Sequence, residues 1–176
     1  TEEHVTCEGR YYQLRDVTLN PPPIQKPHPP IWVAGRQEAA MQRAVRYGNG
    51  WFPYLYSPSR YTSSVKKIME LADKDGESLS EFQWALWVPV AIYDTIEEAA
   101  RIAARLLGGR YLADTDFINL VRKFSLLGPV ESCLSRLEEY IDAGARHIIF
   151  ALACEPQDAN THWETLAKQL IPRLKA

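Results

Sequence analysis

The tripeptide Gly35-Arg36-Gln37 is the segment whose residue types best suit the binding of an anion. It follows a short apolar run and precedes a stretch with helical periodicity. Amide groups at the start of a helix lack intrahelical acceptors, and the helix dipole favours negative charge there. Glycine lets a ligand approach the backbone, and arginine binds phosphate through charge-assisted hydrogen bonds. The pattern predicts a phosphate site at Gly35, Arg36 and Gln37; the alternative is a tight turn followed by a solvent-exposed charge.

Aromatic residues occur together in the next apolar run. Trp51, Phe52 and Tyr54 have the size and shape to wall a cleft that holds a ring-shaped ligand. Aromatic residues on strands also fill cores, and this alternative applies most to Trp51. We therefore add Tyr54 to the predicted cofactor-binding residues.

Polar residues near the ends of later apolar runs are weaker candidates. Asp94 and Glu155 follow two such runs, but Asp94 also suits a helix start and Glu155 an ordinary loop charge. Cys154 has two interpretations, a ligand contact or a small buried apolar residue, and the second is the more common role of a free cysteine. His147 opens a run and is expected to be structural, and His162 is expected to face solvent. These observations assign no catalytic acid or base.

Four short apolar runs, each followed by a helical pattern, organise the chain from residue 31 onward. The predicted strands cover residues 31–34, 50–55, 84–93 and 147–152. The predicted helices cover residues 37–47, 57 or 59 to 76, 95–109, 117–124, 128–144 and 161–171. Residues 1–30 are predicted to form an extended lead-in, because six prolines lie between residues 21 and 30.

Alternating strands and helices predict an α/β fold with parallel strands joined by right-handed crossovers. Two architectures fit: an open doubly wound sheet that binds a small anion, or part of a (β/α)8 barrel. Four strands are few for a doubly wound sheet, and no glycine-rich first turn is present. The sequence therefore favours a single domain over residues 31–176 that forms four βα units of a barrel.

Composition narrows the classes of partner. A formal net charge of −2 over 176 residues argues against a nucleic-acid surface. The longest apolar run, residues 84–93, is too short for a transmembrane helix, and no signal peptide is recognisable. Three cysteines and four histidines lack metal-ligand spacing, so we predict no metal site. An odd cysteine count fits a reducing, cytoplasmic location.

Two blocks of the sequence carry a family pattern. The first comprises Tyr11-Tyr12, Pro22-Pro23-Ile24-Gln25-Lys26-Pro27, Pro29-Pro30-Ile31-Trp32-Val33-Ala34-Gly35-Arg36, Ala39-Ala40, Arg43-Ala44 and Gly48-Asn49-Gly50-Trp51-Phe52-Pro53. The second comprises Leu127-Gly128-Pro129-Val130-Glu131, Gly144 and His147-Ile148-Ile149. Together they resemble the luciferase-like monooxygenase family, whose members use a flavin or the deazaflavin F420. Asn49 departs from the family pattern, which more often has Asp there.

The resemblance implies that this chain is the C-terminal half of a TIM-type barrel, with strands five to eight. It implies an oxidoreductase or monooxygenase with F420 or FMN as cofactor, and the first block is closer to the F420-dependent branch. It places the cofactor phosphate after the first strand. Open sheet edges then predict a homo-oligomer or a separate complementing N-terminal half, and the rival hypothesis is a non-catalytic half-barrel scaffold.

Overall fold

The computed structural model of this protein describes residues 3–108 and 115–174. They form two compact units, one ending at Ile31 and one beginning at Trp32. The strands are β1 (Val5–Glu8), β2 (Gln13–Val17), β3 (Trp32–Ala34), β4 (Gly50–Phe52), β5 (Gln83–Ala91), β6 (Leu126–Leu127) and β7 (His147–Leu152). The helices are α1 (Glu38–Tyr47), α2 (Pro58–Asp75), α3 (Ile96–Gly108), α4 (Thr115–Phe124), α5 (Val130–Asp142) and α6 (Ala159–Thr165).

The first unit contains an antiparallel hairpin of β1 and β2. Its turn is closed by a bond from the Gly9 amide to the Tyr12 carbonyl, 2.9 Å long. The prediction of an extended lead-in missed this hairpin. Nearly all of its side chains are exposed, so the strands lack the apolar alternation by which a half-buried strand is recognised. Residues 21–30 form neither helix nor strand, as their prolines predicted.

The second unit is built on a parallel sheet in which β3, β4, β5 and β7 lie side by side. Their order in space follows their order in the chain, without the reversal of a doubly wound sheet. Val90 of β5 pairs with Leu152 of β7 on one side and with Leu126 of β6 on the other. The short β6 therefore lies on the same side of β5 as β4. Within the described ranges, β3 pairs only with β4, and β7 only with β5. This is an open arc of a barrel.

One face of this arc is covered by helices. Alternate residues of the strands point into the main core, with Trp51, Leu86 and Val88 each 0% exposed. Apolar residues of α1, α2 and α5 meet them there, as the helical periodicity predicted. A second cluster joins α3 and α4 to the end of β5.

The other face carries the intervening residues. The Trp32 ring lies 6.0 Å from the Phe52 ring and 4.7 Å from the His147 ring. Trp87 and Ile149 are register partners on β5 and β7, and Ile149 is only partly buried. In a closed barrel this inner face points into the interior.

Most predicted elements form close to their expected bounds, and hydroxyl side chains cap two of the helices. The Thr95 hydroxyl accepts a 3.2 Å bond from the Glu98 amide, and Ser57 caps α2. The second strand ends earlier than predicted, at Phe52, because Pro53 interrupts the ladder. Gly109, the predicted end of the third helix, lies outside the described residues.

The last helical segment differs most from its prediction. After α6 the chain continues as a π-helical turn, Leu166–Leu170, and a 3-10 turn, Ile171–Arg173. His162 is 3% exposed, so the expectation that it faces solvent was wrong, whereas its neighbour Trp163 is 49% exposed. Ile171 is also exposed, because the wider π turn rotates the face that follows it. No helix within the described residues is long and apolar enough to span a membrane.

Candidate functional site

Gly35, Arg36 and Gln37 form the connection between β3 and α1. Gly35 has a φ of +139°, and a Cβ there would lie 2.5 Å from the Cβ of Ala40, so only glycine fits. The Gln37 carbonyl accepts bonds of 2.9 and 3.2 Å from the amides of Ala40 and Met41. Gln37 is the N-cap residue and makes no side-chain cap bond. Of the first-turn amides of α1, those of Glu38 and Ala39 therefore remain available to a ligand.

Three side chains hold the backbone of this turn. The Trp51 indole donates to the Gly35 carbonyl over 3.0 Å. The Arg36 carbonyl accepts from the Tyr56 hydroxyl at 3.1 Å and from the Arg60 guanidinium at 3.3 Å. Tyr56 is 1% exposed, so its bond is protected from water. The turn between β3 and α1 is thus held in place by side chains of β4, of the loop that follows it and of α2.

The Arg36 side chain has an unsatisfied donor. Its guanidinium carbon lies 5.9 Å from the ring centroids of Tyr54 and Tyr56. Its Nε is buried and has no hydrogen-bond acceptor within the described residues. An unpaired buried donor on a cation is costly, and an anionic ligand beside Arg36 would satisfy it. The fit to a phosphate rests on this orphaned atom and on the Gly35 turn beside it.

Tyr54 is 44% exposed and lines a cavity of about 330 Å³ at the carboxyl ends of the strands. The other lining residues are apolar: Ala34, Phe52, Leu55, Trp87, Leu107 and Phe117. Trp51 lies on the opposite face of β4 and is 0% exposed. Of the three aromatic candidates, the structure places Phe52 and Tyr54 at the cavity and Trp51 in the core.

The remaining candidates do not gather around Arg36. Asp94 is exposed beyond β5. Glu155 forms an ion pair with Arg105 of α3. Cys154 is 8% exposed, and burial together with the nearby Asp158 raises its pKa. Both observations favour the small buried role over a ligand contact. His147 lies at the amino end of β7, away from the edge where barrel enzymes place their chemistry.

Sequence reasoning missed a polar network at the carboxyl ends of β5 and β7. The Tyr93 hydroxyl donates to the Asp158 carboxylate over 3.0 Å. His162 accepts from the Ile92 amide at 2.9 Å, and its other ring nitrogen bonds the Asp158 carbonyl at 3.0 Å. Burial, and then Asp158, hold the pKa of Tyr93 well above its ordinary value, so the phenol remains a donor. No local pattern reveals partners that lie 65 and 70 residues apart.

Tyr56 and Arg60 were also missed. Both follow β4, and their contacts with Arg36 cross 20 and 24 residues of sequence. The one available signal was their position after a predicted strand, on the edge where the Gly35 turn also lies. That signal is shared by every residue of the loop after β4 and of the first turn of α2.

Comparisons with known proteins find relatives in both sequence and fold. The family profile described as luciferase-like monooxygenase matches residues 1–147. A curated relative, an FMNH2-dependent dimethylsulfone monooxygenase of Pseudomonas putida, is 29% identical over 119 residues. That match covers 68% of this chain and 31% of the relative.

Solved structures show the same fold. An F420-dependent secondary alcohol dehydrogenase in complex with an F420-acetone adduct superposes with a TM-score of 0.81 at 18% identity. This match covers 100% of this chain and 57% of that one. The oxygenating constituent of 3,6-diketocamphane monooxygenase from Pseudomonas putida, in complex with FMN, gives a TM-score of 0.67 at 19% identity, covering 98% and 59%. The chain thus spans little more than half the length of these structures.

Proposed function

The chain belongs to the luciferase-like monooxygenase family, and from this premise we propose that it supplies the C-terminal half of an FMN- or F420-dependent oxidoreductase barrel. We propose that the reaction is a monooxygenation, the reaction type named for the curated relative. The observation that carries the proposal is the buried, unpartnered Nε of Arg36 beside the Gly35 turn. Both lie where a strand of a barrel ends and a helix begins.

The residues of this half have distinct roles in the proposal. Arg36 and the first-turn amides of α1 bind the cofactor phosphate, and Gly35 lets it approach the backbone. Gln37 precedes α1 and offers a further polar side chain. Tyr54 lines the apolar cavity and excludes water from one side of the cofactor ring. The bound cofactor supplies the hydride or oxygen chemistry, and this half positions it.

A fluorescence titration of the purified chain with FMN and with F420 tests the proposal. We expect saturable binding of one of them and a loss of at least about tenfold in affinity for Arg36→Ala, because a hydrogen-bonded charge is removed. The unfolding temperature of Arg36→Ala serves as the control for folding. Equal affinity of the wild-type protein and Arg36→Ala would show that the phosphate lies elsewhere.

The second candidate function is that of a half-barrel scaffold that self-associates or accepts a complementing N-terminal half. It is favoured by the open edges of β3 and β7 and by the aromatic inner face. Light scattering at micromolar concentration tests it, and we expect a dimer or larger species. A stable monomer would contradict self-association, and a monomer that also fails to bind an added N-terminal half would exclude the scaffold.

We also propose a cytoplasmic location. Cys7, Cys133 and Cys154 are free thiols, as expected in a reducing compartment.

A further inference from the structure

Two arginines converge on one tyrosine ring next to the Gly35 turn. The guanidinium carbon of Arg60 lies 4.5 Å from the centroid of the Tyr56 ring, and that of Arg36 lies 5.9 Å away. Arg36 follows β3, and Arg60 lies in the first turn of α2, after β4. The carboxyl ends of two adjacent strands thus each bring one positive charge to the same place.

Neither charge is neutralised by a carboxylate in the described part of the chain. No ion pair of residues 3–108 and 115–174 includes Arg36 or Arg60. Glu38, the acidic residue in the first turn of α1, is paired with Lys67 at 3.3 Å. Two like charges held beside one ring repel each other, and an anion that contacts both would remove this cost.

We propose that Arg60 is a second cation of the cofactor site, and that Arg36 and Arg60 together select an end group with two negative charges. This inference rests on the proposed function, because it concerns the same turn. A phosphomonoester such as that of FMN carries about −1.5 to −2 at pH 7. The phosphodiester of F420 carries one charge, and the carboxylates of its tail supply the next. Riboflavin carries neither.

The rival explanation is that Arg60 only stabilises the turn, because it donates to the Arg36 carbonyl over 3.3 Å. Two substitutions separate the roles. Arg60→Gln keeps a side-chain donor and removes the charge, whereas Arg60→Lys keeps the charge. Arg101→Gln is the matched control, since Arg101 is an exposed arginine of α3 outside these contacts.

The experiment measures dissociation constants for FMN, riboflavin, F420 and the phosphate-free deazaflavin, together with the unfolding temperature of each variant. We expect Arg60→Gln to weaken one phosphorylated ligand about tenfold, the effect of losing one charge-assisted hydrogen bond. Whether FMN or F420 loses this affinity identifies the source of the second charge. Arg60→Lys should retain most of the affinity. Riboflavin binding, the unfolding temperature and the Arg101→Gln affinities should stay unchanged.

Three results would overturn the inference in different ways. If Arg36→Ala abolishes binding while Arg60→Gln leaves it intact, Arg60 is not a ligand and the proposed function stands. If Arg60→Gln weakens FMN and riboflavin equally, Arg60 only holds the turn. If neither FMN nor F420 binds the wild-type chain, the inference and the proposed phosphate site both fail.

Discussion

At the scale of single residues, Gly35 is the position of the candidate site that tolerates substitution least. Its φ of +139° is unfavourable for any side chain, and a Cβ would collide with Ala40 at 2.5 Å. We expect Gly35→Ala to lower the free energy of unfolding by about 2 kcal/mol or more and to abolish cofactor binding. Chemical denaturation and a cofactor titration measure the two effects.

Gly76→Ala is the matched control for this substitution. Gly76 caps α2 with a φ of +71°, and its Cβ would meet nothing within 4 Å. We expect it to cost about 1 kcal/mol through backbone conformation alone and to leave cofactor affinity unchanged. If both variants keep wild-type affinity, Gly35 does not serve a ligand.

The cysteines give a second prediction at this scale. Burial raises the pKa of the Cys133 thiol to about 12, and burial with Asp158 raises that of Cys154. A raised pKa keeps a thiol protonated and unreactive at pH 8, whereas Cys7 is exposed. We expect Ellman's reagent to titrate one thiol in the native protein and three after unfolding in guanidinium. Rapid reaction of two or three thiols in the native state would contradict the burial of Cys133 and Cys154.

At the scale of elements, α5 is joined to the site through a chain of hydrogen bonds. The Tyr140 hydroxyl donates to the carbonyls of Tyr56 and Phe124, and Tyr140 is 0% exposed. Tyr56 in turn donates to the Arg36 carbonyl. This chain of contacts links α5 with the loop after β4 and with the Gly35 turn.

We expect Tyr140→Phe to cost about 2 kcal/mol, because two buried carbonyls lose their shared donor. Tyr61→Phe is the control: Tyr61 is also 0% exposed, but its hydroxyl bonds a single carbonyl, that of Ala85, so about 1 kcal/mol should be lost. Only Tyr140→Phe should also weaken cofactor binding. Equal unfolding free energies for the two variants would show that the second hydrogen bond of Tyr140 adds no stability.

The predictability of each element depended on how local its signal is. The strand from His147 to Leu152 has the predicted bounds, because its apolar run is continuous and followed by the expected helix. The two-residue β6 was missed, since Leu126 and Leu127 form a strand only by pairing with Val90 and Ala91. His162 was wrongly assigned to solvent, because its burial depends on backbone partners supplied by other segments.

At the scale of the whole molecule, the two faces of the sheet are expected to respond differently to a buried charge, because only one of them is covered by helices in the described ranges. Phe150 packs against the helix-covered core, whereas its neighbour Ile149 lies on the inner face with Trp87. We expect Phe150→Asp to unfold the second unit, because it buries an unpaired charge. Ile149→Asp should leave the fold intact and prevent self-association or binding of a complementing half.

Circular dichroism and light scattering on the two variants test this contrast. If Ile149→Asp unfolds the protein as Phe150→Asp does, the inner face is part of the monomer's core. If Ile149→Asp folds and associates like the wild type, the interface lies on another surface. Either outcome would remove the support that the inner face gives to the scaffold hypothesis.

Local pattern in the sequence determined the α/β class, the order of the elements and the position of the Gly35 turn at the end of a strand. These depend on side-chain period, capping residues and glycine, which act within a few residues of the chain. Only the tertiary structure decided that Tyr56 and Arg60 meet Arg36, that Trp51 is buried while Phe52 and Tyr54 line the cavity, and that His162 is enclosed. The physical reason is that burial and pairing of polar groups are settled between segments 20 to 70 residues apart, where sequence period carries no information.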